Sequence, residues 1–158
     1  MKNKMMYFAY GSNMNVEQMS IRCPGAEIVG TAVLLAHRLV FKAVADVVPT
    51  GKQVDGVVWS IGIKDLRALD RYEGWPWLYN DRMAQVTLDN GYQVSAMFYY
   101  MMYGNIAPPT PSYFRTILDG YKYFGLDTAP LRAAAKSAIK HGVWYGGTSY
   151  TKKRKGKK

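Results

Sequence analysis

The chain has 158 residues, 49% hydrophobic and 14% aromatic, which is enough apolar material for one packed domain and too much for a disordered chain. Its formal charge of +10 is concentrated at the end, where Lys152 and the KRKGKK after it hold six positive charges and leave the body at an ordinary +4. No run of about 18 apolar residues exists to span a membrane, and the single cysteine, Cys23, excludes an internal disulfide and fits a reducing, cytoplasmic setting.

In chain order, the apolar run at Met5–Ala9 predicts a strand that stops at Gly11-Ser12-Asn13. A short helix follows over Val16–Arg22 and is stopped by Pro24-Gly25, with Asn13 expected as its cap. Strands are expected at Glu27–Leu35, Leu39–Ala43 and Val54–Ile61, the last without alternation, as in a strand buried on both sides or lining a barrel. A helix over Lys64–Glu73 ends at Gly74, and Pro76 prevents its return. Arg82–Leu88 and Tyr92–Tyr100 form a hairpin around Asp89-Asn90-Gly91, because Asn-Gly tolerates the positive φ that a tight turn needs. Helices at Ser112–Phe124 and Leu131–Lys140 complete the domain, the second capped by Thr128, with Pro130 in its first turn and Gly142 at its close. Strands outnumber βαβ units, so the pattern favours a mixed sheet or small barrel flanked by helices over a doubly wound parallel sheet.

Chemistry has two candidate seats. Strand, glycine turn and helix start make a nest of backbone N–H groups suited to an anion. The turn lacks the lysine of a phosphate loop, so a carboxylate fits it as well as a phosphate. In the helix KDLRALDRYEG, 100° per residue puts Glu73 on one side with Leu66, Leu69 and Asp70, the side that meets the core. Burial, the negative end of the helix dipole and Asp70 all favour a raised pKa, useful for moving protons near neutral pH. The alternative for Glu73 is a surface glutamate at a frayed helix end. His37 and His141 have no spacing that suggests a metal, and Cys23 has no activating base, so structural roles are expected for all three. No metal or cofactor signature stands out.

Four pieces, in order, resemble the gamma-glutamylcyclotransferase family: YFAYGSNM; VDGVVWSI leading into DLRALDRYEG; Tyr79, six residues after the glutamate; and APPTPSYFRTILDGYKYFGL. RCPGAEIVGTAVLLAHRLVF fits the same layout, and the resemblance spans roughly residues 6–126. It implies an α+β fold, a small mixed β-barrel flanked by helices; the domain is expected over residues 1–148, with the basic tail at 149–158 outside the resemblance. It also implies intramolecular aminolysis of a small γ-glutamyl substrate to 5-oxoproline and a free amine, with no cofactor. Glu73 matches the family's catalytic glutamate. Tyr10, Gly11, Ser12 and Asn13 match the loop that holds the glutamyl end, and Tyr79 and Tyr113 match tyrosines that complete its pocket. Trp75 and Trp77 in EGWPWLY either wall the leaving-group side or simply pack.

Two other readings remain open. The domain is a non-catalytic module that binds a small acidic ligand or a partner, or it removes a γ-glutamyl group from a larger amine, one attached to nucleic acid that the basic tail contacts. The bland role for the tail is a solvated extension.

Overall fold

A computed structural model describes residues 3–142; the expected boundary at 148 and the basic tail lie outside them. The elements are β1 (Met5–Ala9), a single 3₁₀ turn (Ser12–Met14), α1 (Val16–Arg22), β2 (Glu27–Lys42), β3 (Val44–Ile61), α2 (Ile63–Glu73), β4 (Tyr79–Leu88), β5 (Gln93–Met101), α3 (Pro111–Tyr123) and α4 (Ala129–His141). The strands close into a barrel in the order β1-β3-β2-β4-β5. β5 pairs with β1 in parallel and every other pairing is antiparallel, so the barrel is mixed, as expected.

The three strands expected between residues 27 and 61 are parts of two long ones. β2 and β3 form a hairpin that pairs Lys42 with Val44 across Ala43, whose φ is 65°. No strand was expected between Ala43 and Val54, and β3 runs through that stretch. The ladder accommodates the proline: Pro49 pairs with His37, where the register shifts next to Ala36 at φ 60°. A bulge tolerates a residue with no N–H to donate. The expected gap between Leu35 and Leu39 is that bulge. At the other hairpin, Leu88 N–H bonds to Tyr92 O across the Asn-Gly turn, and Gly91 takes φ 88°.

Two expected caps are corrected. Asn15, not Asn13, caps α1 by accepting from Gln18 N–H at 3.1 Å, which leaves the Asn13 side chain free to turn inward. Thr128 stands at the N-cap position of α4, as expected, but its side chain takes no backbone N–H there; Asp127 accepts the Ala129 N–H instead.

The core lies in and around the barrel and includes the buried Phe8, Phe41, Val57, Val58, Ile61, Val86 and Phe98. α2 lays Leu69 against it, fully buried, with Leu66 partly so. α3 meets the 3₁₀ turn at Gly120, where a Cβ would lie 2.9 Å from Met14 Cβ, so only glycine lets the two elements come this close. These contacts bring the start of β3, the end of α2 and the N-terminal turn to one place.

Candidate active site

Glu73 is the last residue of α2. Gly74, at φ 63°, reverses the chain there, and its N–H and that of Trp75 return to Arg71 O and Asp70 O. This end faces a cavity of about 180 Å³ lined by Tyr7, Tyr10, Gly11, Ser12, Asn13, Val44, Ala45, Tyr72, Glu73, Leu78, Tyr79, Tyr99 and Tyr113. Tyr10, Gly11, Ser12, Asn13, Glu73, Tyr79 and Tyr113, the residues singled out in the sequence, therefore all line one cavity. Tyr7, Tyr72, Tyr99, Val44, Ala45 and Leu78 join them without a local signal. Trp75 and Trp77 do not line it: Trp77 is 86% exposed, and Trp75 Nε1 donates to Asp81 Oδ1 at 2.7 Å.

The Glu73 carboxyl accepts a hydrogen bond from Asn13 Nδ2 at 3.2 Å, and the same amide nitrogen reaches Tyr7 OH at 3.0 Å. Burial pushes the Glu73 pKa up to about 7, and Arg22 pulls it the other way. Asp70, expected to help raise it, instead accepts a 2.6 Å hydrogen bond from the Tyr99 hydroxyl.

The tyrosines divide by where their protons point. A phenol has one proton to give. Tyr10 donates it to Tyr99 O at 2.6 Å, Tyr79 to Ala45 O at 2.7 Å, and Tyr99 to Asp70. Tyr113 instead accepts from Ala45 N–H at 3.0 Å, and Tyr7 accepts from Asn13. Tyr7 and Tyr113 thus keep a proton for a ligand, whereas Tyr10, Tyr79 and Tyr99 can only accept from one. Burial pushes the pKa of each of these five phenols up, so all are neutral near pH 7.

The turn at residues 11–13 is held rigidly. Trp59 Nε1 donates to Asn13 O at 3.1 Å, and Met14 N–H closes back on Gly11 O at 3.0 Å. A Cβ on Gly11 would sit 3.2 Å from Ala45 Cβ and 3.6 Å from the Tyr113 hydroxyl, so a side chain there would press on the cavity wall.

Away from the cavity, Cys23 is buried with its Sγ 3.6 Å from Asp65 O, and burial raises its pKa to about 11, which suits an inert thiol. His37 Nδ1 lies 2.9 Å from Leu35 O. Among the described residues no cluster of three or more His, Cys, Asp or Glu side chains could hold a metal ion, and no helix is long and apolar enough to cross a membrane.

A family model described as "Gamma-glutamyl cyclotransferase, AIG2-like" matches residues 7–115. A human protein named gamma-glutamylcyclotransferase is 30% identical over 139 residues, 79% of this chain and 74% of that protein. Its bovine namesake is 30% identical over 135 residues, 77% of this chain and 72% of the other. A solved structure named gamma-glutamyl cyclotransferase superposes with a TM-score of 0.75 at 28% identity, covering 92% of this chain and 93% of its own.

Proposed function

This chain belongs to the gamma-glutamyl cyclotransferase, AIG2-like family, and from that premise we propose that it converts a small γ-glutamyl amine or amino acid into 5-oxoproline and a free amine. It is an enzyme of the gamma-glutamylcyclotransferase type; the substrate and the steps below are our reading. The substrate's α-amine nitrogen attacks its own γ-carbonyl carbon. The ring C–N bond forms, the amide C–N bond to the leaving amine breaks, and the two protons that the α-ammonium gives up on becoming the lactam N–H end on the departing nitrogen, which leaves as an ammonium. Every atom of the substrate ends in one of the two products. Holding the glutamyl chain folded for ring closure is worth an effective molarity of up to about 10⁵ M or more.

Glu73 carries the proton. With a pKa of about 7 its carboxyl exists in both forms near neutral pH, so it can take the proton from the ammonium and return it to the leaving amine. Backbone N–H groups of Gly11, Ser12 and Asn13 bind the substrate's α-carboxylate. Tyr113, with a proton to spare, donates to the γ-carbonyl oxygen as negative charge develops on it. The Tyr79 and Tyr10 oxygens, their protons already committed, accept from the α-ammonium. At about 180 Å³ the cavity is smaller than the roughly 300 Å³ where drug-sized pockets begin, a size suited to a glutamyl chain, with the leaving group outside.

One observation carries this reading: a half-buried carboxyl, desolvated by its surroundings and raised to about 7, shares a small cavity with the N-terminal turn. A mass-spectrometric screen of γ-glutamyl compounds tests it. 5-oxoproline is expected from the wild-type protein and not from Glu73→Gln. Equal release by the two proteins, or none from any γ-glutamyl compound, sinks the proposal.

A further inference from the structure

The steps above leave one charged side chain beside the cavity without a task. Arg22 ends α1, and its guanidinium carbon stands 3.4 Å from the centroid of the Tyr72 ring. Its Nη1 donates to Asn13 Oδ1 and lies 3.5 Å from Ser12 Oγ. Side chains from α1, the 3₁₀ turn and α2 therefore meet at one guanidinium.

The asymmetry of the Asn13 amide gives this contact its consequence. One end of an amide only accepts and the other only donates, while a guanidinium only donates. Oδ1 must face Arg22, so the NH₂ faces Glu73 at 3.2 Å and Tyr7 at 3.0 Å. A half-turn of the amide would oppose its oxygen to the Glu73 carboxylate and its NH₂ to the guanidinium, both repulsive. We infer that Arg22 is a positioning residue: by holding the Asn13 oxygen it fixes that amide as the donor to Glu73 and Tyr7, and so aims the proton-carrying carboxyl. The inference rests on Glu73 being the proton carrier.

Arginine is suited to the task where lysine is not. Its planar fork can stack on Tyr72 and donate sideways to Asn13 at once, and a lysine ammonium has no face to stack. Charge adds a second effect. The groups facing Glu73 are Arg22 from α1, Tyr7 and Tyr10 at the end of β1, Tyr79 from β4, Tyr99 from β5 and Tyr113 from α3. On its own helix Asp70 lies one turn back, bonded to Tyr99, and Tyr72 is adjacent. The phenols are neutral, so Arg22 is the counterweight to burial at Glu73.

The experiment compares full-length wild type, Arg22→Gln and Arg22→Lys. Glu73 is titrated through its ¹³C-labelled side-chain carboxyl by NMR, thermal unfolding checks the fold, and kcat, KM and the pH profile are measured on a γ-glutamyl compound. Arg22→Gln is expected to move the Glu73 midpoint up by about one pH unit, a roughly tenfold gain in proton affinity. Its kcat at pH 7 falls on the order of 10- to 100-fold, with KM changed by less than about threefold. Arg22→Lys keeps the charge, and hence the midpoint to within about half a unit, yet loses on the order of tenfold in kcat, because an ammonium with no face to stack on Tyr72 is not held in place against the Asn13 oxygen. A folded Arg22→Gln with wild-type midpoint and kcat overturns the inference. If that variant does not fold, Arg22→Lys decides: wild-type kcat there overturns it. The carboxyl titration needs no turnover. If wild type releases no 5-oxoproline, the proposed function fails alone, while an unmoved midpoint in Arg22→Gln defeats the Arg22–Asn13–Glu73 arm alone.

Discussion

Two of the concave regions among the described residues, each with a carboxyl whose pKa is raised, differ in kind. The groove between the β2–β3 hairpin and α4 is the larger, about 520 Å³, bordered by Arg38, Lys52, Asp55, Tyr121, Ser137 and His141. Asp55 is shifted up there by burial and by the neighbouring charge of Asp127. The cavity at Glu73 is about 180 Å³. Its carboxyl is held by an amide that is itself held by Arg22, and phenols with assigned donor directions surround it. Volume is a poor guide to chemistry here. A reaction needs charge and protons at fixed positions, and the smaller region supplies groups locked by second partners.

The largest expected effect separates the two regions directly. Glu73→Gln should lower 5-oxoproline release by about 10³-fold, within the range that general acid–base groups contribute. Rate measurement on the best compound from the screen checks it.

A stability measurement sharpens the same contrast without substrate. Folding raises the Glu73 pKa from 4.5 to about 7, so the folded protein binds this proton more tightly than the unfolded chain. Its contribution to stability is fully present below the unfolded pKa and is lost as pH rises through 7. Glu73→Gln has no such group. Relative to wild type, the variant should gain on the order of 2–3 kcal/mol between pH 4 and pH 8, read from urea unfolding at each pH. Asp55 titrates in both proteins and cancels; a constant difference between them would mean that Glu73 is not buried as described.

Within the cavity, the donor assignments predict unequal tyrosines. Tyr113→Phe should cost about tenfold in kcat/KM, one hydrogen bond's worth, together with about 1 kcal/mol of stability for the Ala45 N–H left without its acceptor. Tyr79→Phe strips the partner from Ala45 O and should lose about 1 kcal/mol of stability, with a smaller kinetic effect. Reversed outcomes would mean that the spare proton belongs to the other phenol. The smallest effect lies in the groove, where Lys52→Ala should leave release of 5-oxoproline within about twofold of wild type, since it touches nothing at Glu73.

Much of the architecture was legible because it is local. Asn90-Gly91 makes a hairpin, Gly74 ends a helix in the left-handed region, and the period of KDLRALDRYEG sets Glu73 beside Leu69. Each depends on a few adjacent residues and their backbone preferences. The long hairpin was only half legible: no strand was expected between Ala43 and Val54, yet pairing with β2 carries β3 through Pro49, which sits opposite His37 beside a bulge. Asn13 misled for a related reason. Its residue type suits a cap, but Asn15 is better placed for that bond, and the space behind Asn13 holds Glu73 and Arg22.

The sequence by itself determined the seams of the fold, the carboxyl at a helix end and the glycine turn, along with a family likeness strong enough to name the residues that line the cavity. Only the tertiary structure decided that Tyr7, Tyr99 and Ala45 complete the cavity, that its phenols face in opposite senses as donors and acceptors, and that Arg22 reaches across to set the Asn13 amide. The reason is distance along the chain. Residues 7, 22, 45, 73, 99 and 113 meet only because a closed barrel and its helices bring them together, and no local preference encodes which end of an amide or a phenol will find its partner first.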